Sequence, residues 1–95
     1  MNKHAIKFLR GLSHDIKPVV MIADKGLTEN VMIEIDVCLE LHELIKIRIR
    51  MDKETRNKYI NEILETTGAQ KIHAIGQTLT IYLENPKNPQ FELPQ

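Results

Sequence analysis

The sequence predicts one α/β domain in which three helices pack on a mixed four-stranded sheet, in the chain order αβαβαββ. Three observations lead there. Segments of helical periodicity alternate with short apolar or alternating runs, as in strand–helix–strand units. The chain has 95 residues, 42% of them hydrophobic, which suffices for one modest core. The last two apolar runs are separated only by Gly76-Gln77, a hairpin spacing.

Residues 3–13 read as the first helix: Ala5, Ile6, Phe8, Leu9 and Leu12 gather on one side, with Lys3, Lys7 and Arg10 off it. Lys17-Pro18 forces extended backbone, because proline disfavours helix at the residue before it. Val19-Val20-Met21-Ile22 is apolar without alternation, which predicts a central strand covered on both faces. Ala23-Asp24-Lys25-Gly26 is a turn, and Thr28 is a good N-cap for a second helix with Glu29 in its first turn. That helix runs to near His42, with Val31, Met32, Ile35, Cys38 and Leu39 inward and Glu34, Asp36 and Glu40 in water. Residues 44–51 alternate strictly: Ile45, Ile47, Ile49 and Met51 face the core, and Lys46, Arg48 and Arg50 face water. Asp52 caps a third helix over 53–67, with Tyr59, Ile60, Ile63 and Leu64 inward and Gly68 at its end. Residues 70–76 and 78–84 form the closing hairpin. Crossovers imply parallel neighbours, and the hairpin adds an antiparallel strand. Residues 1–84 make the domain, and residues 85–95, with Pro86, Pro89 and Pro94, make a tail over the surface.

The formal net charge is zero, yet the charge is segregated along the chain. Residues 1–25 hold five basic groups against two acidic ones, residues 26–45 hold five acidic groups and no Lys or Arg, and residues 46–58 hold six basic groups against two acidic ones. Binding responds to the local field, so a neutral total is compatible with one basic face. No apolar run approaches the roughly 18 residues of a membrane span, and the early lysines interrupt any signal peptide. The lone Cys38 has no partner for an internal disulfide, which fits a reducing cytoplasm.

Two features suit a polyanion. The turn 23–26 follows a strand and precedes a helix N-terminus, where backbone N–H groups and the helix dipole favour phosphate. Lys25 adds a charge there, and Gly26 gives a sugar-phosphate chain room to approach. Lys46, Arg48 and Arg50 place three like charges on alternate residues of one strand, a repulsion that phosphates would relieve. The plainer readings are an ordinary turn and a solvated strand face. His4, His14, His42 and His73 lack metal-ligand spacing, and Ser13, the only serine, has no catalytic motif around it. No catalytic activity, cofactor, metal or small-molecule substrate is therefore expected. Of four aromatic residues, Phe8 and Tyr59 read as core, while Tyr82 is the candidate for an exposed ring.

Leu12, His14-x-Ile16-Lys17-Pro18-Val19-Val20, Gly26-Leu27-Thr28-x-x-Val31, Glu34-Ile35 and Leu39-Glu40-x-His42-Glu43-Leu44-Ile45-Lys46-Ile47-Arg48 together resemble the CRM-domain family (chloroplast RNA splicing and ribosome maturation), above all its free-standing bacterial members of the YhbY type. Thr67-Gly68-Ala69, Ile75-Gly76 and the Leu79–Leu83 segment extend the resemblance over residues 3–84. The resemblance implies a fold similar to the C-terminal domain of translation initiation factor three. It also implies RNA binding and association with large ribosomal subunit precursors. The family's Gly-x-x-Gly loop, likened to the backbone-clamping loop of KH domains, corresponds here to Ala23, Asp24, Lys25 and Gly26, with Ala23 in place of the first glycine. Gln77 and Glu84 stand where the family favours basic residues, which implies weaker phosphate affinity at the hairpin.

The expectation is a cytoplasmic, non-enzymatic module that binds structured ribosomal RNA during large-subunit assembly. Its contacts would be the 23–26 loop, then Lys46, Arg48 and Arg50, with Lys7, Arg10 and Lys17 as a flanking patch. The alternative is a protein-interaction module that uses the acidic second helix or a sheet edge.

Overall fold

The computed structural model describes residues 1–94. Helix α1 spans Lys3–Ser13, strand β1 Val20–Ile22, α2 Glu29–His42, β2 Leu44–Ile49, α3 Lys53–Thr67, β3 Gln70–Ile75 and β4 Thr78–Tyr82. Caps set the helix limits. The Asn2, Thr28 and Asp52 side chains accept the N–H of Ala5, Val31 and Thr55 at 2.8, 3.2 and 3.1 Å. Gly68 closes α3 at φ +74°, with its N–H donating to the Leu64 carbonyl.

The sheet order is β1-β2-β4-β3. β1 runs parallel to β2, while β4 is antiparallel to both β2 and β3. The closing hairpin thus inserts its second strand in the middle, and β3 lies parallel to β2 without pairing with it. Side chains explain the choice. Leu79, Thr80, Ile81 and Tyr82 of β4 are buried on both faces, whereas most of β3 is exposed, so β4 belongs inside and β3 at the edge.

One sheet face carries the main core. Val20, Ile22, Ile45, Ile47, Ile49, Leu79 and Ile81 meet Ile35 and Leu39 of α2 and Ile63 of α3, with Met51, Tyr59, Ile60 and Leu64 packed beside them. The other face carries a smaller cluster in which Leu9 of α1 meets Leu44, Ile72 and Tyr82, closed by Leu12, Ile16, Phe91 and Leu93. The 45/47/49/51 side of β2 therefore faces the core as its alternation predicts, and Lys46, Arg48 and Arg50 lie on the other side.

Three expectations need correction. Val19–Ile22 is an edge strand, not a central one, and Val19 and Met21 are exposed because α1 does not extend over them. Phe8 lies outside the core, since the buried side of α1 runs through Ala5, Leu9 and Ser13. Tyr82 is buried under Phe91, with ring centroids 6.5 Å apart. The tail is also tied down. Glu43, fully buried at the end of α2 with φ +61°, accepts the Asn85 N–H at 2.6 Å and the Gln90 N–H on its carboxylate. No helix among the described residues is long and apolar enough to cross a membrane.

Candidate functional site

Cross-strand pairing fixes which side chains share the face that α1 only partly covers. Met21 pairs with Arg48, Arg48 with Thr78, and Thr78 with Ile75, giving one row across all four strands. Lys46 pairs with Thr80 and Thr80 with His73, and the Val19 N–H donates to the Lys46 carbonyl at 2.9 Å, giving a second row. Below these, Leu44 pairs with Tyr82 in the cluster under α1. The helix thus covers the lower part of this face and its end reaches the second row, where Thr80 is buried and Lys46 and His73 are half-buried, while the Met21–Arg48–Thr78–Ile75 row is left open. None of the eight residues in these two rows is acidic.

Near-neighbour geometry extends this surface. β1 and β2 are parallel and finish at the same end, and the Arg50 N–H donates to the Ile22 carbonyl at 2.8 Å. Arg50 therefore starts beside the strand end that launches the 23–26 loop. Lys25 and Asp24 are both exposed at the tip of that loop. The Gly26 N–H closes the turn onto the Ala23 carbonyl at 2.7 Å. Gly26 needs its left-handed φ of +74°, and a Cβ there would stand 2.5 Å from Tyr59 Oη. Its missing side chain thus leaves room for α3, a requirement internal to the fold. Ala23 has no positive φ, so alanine replaces the family's first glycine without strain. At the start of α2, Thr28 already occupies the Val31 amide and Glu29 sits in the first turn, which opposes an anion there.

The remaining predicted cations are more dispersed. Arg10 turns back to the sheet, where its Nη2 donates to the Ile72 carbonyl at 3.4 Å, while Lys7 stands exposed on α1. Lys17 is exposed on the connector to β1 and borders a groove of about 400 Å³ with Ile16, His42 and Phe91. The structure therefore brings Lys46 and Arg48 together on one sheet face, sets Arg50 and the loop at its end, ties Arg10 to β3, and leaves Lys7 on α1 and Lys17 on the connector without bringing them into that cluster. Sequence reasoning missed Val19, Met21, His73, Ile75, Thr78 and Thr80 as companions of these cations. Nothing in the sequence reading assigned them to a face, and only the strand order puts them beside Lys46 and Arg48.

Shifted acidities lie elsewhere. Burial, then the negative charge of Glu34, raises the Cys38 thiol. Hydrogen bonds from Thr55 hold Asp52 below the usual carboxylate range, as expected of an ionised cap. Among the described residues no group of three His, Cys, Asp or Glu side chains could hold a metal ion.

Fold and surface together define a small αβαβαββ module with a half-open, cationic sheet face. The family profile of the CRS1 / YhbY (CRM) domain matches residues 1–82, and the chain belongs to that family. An RNA-binding protein of Haemophilus influenzae is 44% identical over 77 residues, covering 80% of this chain and 78% of that one. Bacillus subtilis YqeI, also named for RNA binding, is 30% identical over 89 residues, or 93% of each chain. The solution structure of SAV1595 from Staphylococcus aureus superposes with a TM-score of 0.82 at 30% identity, covering 99% of both chains.

Proposed function

We propose that this chain is a non-enzymatic cytoplasmic protein that binds structured ribosomal RNA in precursors of the large subunit and assists their assembly. One observation carries the reading: exposed Arg48 and half-exposed Lys46 lie on a sheet face that α1 only partly covers, with no acidic residue in either row. Such a face attracts a polyanion, and Arg50 and Lys25 continue it around the sheet end. Relatives named for RNA binding support RNA as that polyanion. Lys and Arg contacts to phosphate position a protein on RNA without reading its sequence, so the RNA's shape would supply much of the selection. Crosslinking in cells followed by sequencing of the bound RNA tests this. Enrichment of large-subunit ribosomal RNA is expected, and recovery of ribosomal RNA no better than from an uncrosslinked control refutes it.

A second reading has its own observation. Ile33, Val37 and Leu41 form an exposed stripe on α2, one helical turn apart, flanked by Glu29, Asp36 and Glu40. That stripe favours a protein contact on the side of the molecule away from the cations.

A further inference from the structure

The open sheet face combines features that phosphate attraction does not require. Val19, Met21 and Ile75 are 43%, 54% and 65% exposed on it. They sit on the two edge strands and bracket the cations of β2. A solvated basic face gains nothing from apolar groups in these places. Where α1 ends against the sheet, Ser13, His14, Lys46, His73, Ile75, Thr78 and Thr80 border a cleft of about 240 Å³. Its walls offer imidazoles, hydroxyls and an ammonium group beside an apolar side chain.

We infer that the open row Met21–Arg48–Thr78–Ile75, with the cleft beside it, forms a platform for unpaired nucleobases, so that the RNA segment seated on the sheet is single-stranded. The inference rests on the RNA-binding reading above and adds to it which part of an RNA touches which residues. A base has an apolar π-face and polar edges, and sequence-tolerant binding of single strands pairs face contacts with backbone charge. Met21 and Ile75 supply apolar contact at the two ends of the first row. Arg48, between them, supplies a planar guanidinium that stacks on a base face or pairs with a phosphate. The polar cleft beside His73 and Thr80 accepts base edges. Four strands spaced about 4.8 Å apart make a row roughly 14 Å wide, broad enough for more than one base. A duplex keeps its base faces stacked inside and exposes phosphates and a shallow groove, so it gains little from Met21 or Ile75. Among the described residues no Phe or Tyr lies in these rows, and Tyr82 is buried beneath α1 and Phe91.

The test compares a short labelled oligouridine with an RNA duplex of the same length by fluorescence anisotropy. The proteins are the parent, a Met21→Ser/Ile75→Ser double variant and Arg48→Gln. Both apolar residues are exposed, so the double variant should retain the parent's circular dichroism. If one substitution disturbs β1 or β3, Ile75→Ser alone serves. The double variant should bind oligouridine about tenfold more weakly, as expected when roughly 50 Å² of apolar contact is lost. Its slope of affinity against salt should be unchanged, because no phosphate contact is removed. Duplex binding should match the parent. If the double variant equals the parent on both RNAs while Arg48→Gln weakens both, the platform is refuted and RNA binding stands. If it weakens both RNAs equally, the preference for unpaired bases is refuted. If the parent binds neither RNA, the underlying reading fails and the platform with it. If the substitutions instead dissociate a dimer of the parent, the face is a protein interface and the inference is overturned.

Discussion

Gly26→Ala should be among the most damaging single-methyl changes in this chain, and its cost separates into two parts. Gly26 lies at φ +74°, and an added Cβ would stand 2.5 Å from Tyr59 Oη and 3.4 Å from its Cζ. Left-handed backbone costs an L-residue about 1–2 kcal/mol. Forcing a methyl into occupied space costs about 1–3 kcal/mol more. The combined loss of about 2–5 kcal/mol is a large share of the roughly 5–15 kcal/mol that holds a domain folded. Tyr59→Phe removes only the hydroxyl and leaves the nearest ring atom at an ordinary 3.4 Å. In that background Gly26→Ala should retain the backbone penalty and lose the steric one, a coupling of about 1–3 kcal/mol. Urea unfolding of the parent, both single variants and the double variant measures it. Equal costs of Gly26→Ala in the two backgrounds would refute the claim that the glycine makes room for Tyr59. The same contact makes the loop a product of α3, so Gly26→Ala should also displace Lys25.

Two more outcomes follow from the buried polar groups. Glu43→Ala deprives the Asn85 and Gln90 amides of a charged acceptor, and bonds of that kind contribute about 1.5–3 kcal/mol each. We expect a loss of about 3–6 kcal/mol in thermal unfolding, with faster proteolysis of the tail; an unchanged midpoint would show that the tail is not anchored there. For Tyr82, burial, then the negative charges of Glu43 and Glu84, raise the hydroxyl above the usual value of 10.0. The folded state thus favours the neutral phenol. Its contribution is full at neutral pH and is lost as pH rises past about 10 toward the raised folded value. Tyr82→Phe should therefore lose less stability than the parent between neutral pH and about pH 11, and parallel curves would contradict the assignment.

The faces of β2 were legible because Ile45–Ile49 alternates apolar and polar residues, which leaves a single register that buries the isoleucines. Thr28, Asp52 and Gly68 marked helix limits because their chemistry satisfies orphan backbone groups at those positions. Strand order was less legible. A crossover suggests a parallel neighbour, but the apolar character of β4 on both faces draws it between β2 and β3. The run Val19–Ile22 misled for a related reason. Its apolar residues suggested double coverage, whereas α1 leaves Val19 and Met21 in the open. The cations of the candidate site were visible in the sequence. Their apolar companions were not, because Met21 and Ile75 join Arg48 only through pairings across the whole sheet. Nothing local marked Glu43 as a tail anchor, since its partners lie 42 and 47 residues away.

The central claim is that the basic side of β2 lies against phosphate. Arg48 and Arg50 are both exposed, so replacing them with Gln should leave the fold intact. Parent and Arg48→Gln/Arg50→Gln protein are titrated against one structured ribosomal RNA fragment at several salt concentrations. Each neutralised phosphate contributes about 0.7–0.9 to the slope of log affinity against log salt. The double variant should bind more weakly, with a slope flatter by roughly one to two units. Coincident slopes for the two proteins would contradict the account, because this strand would then carry no phosphate contact.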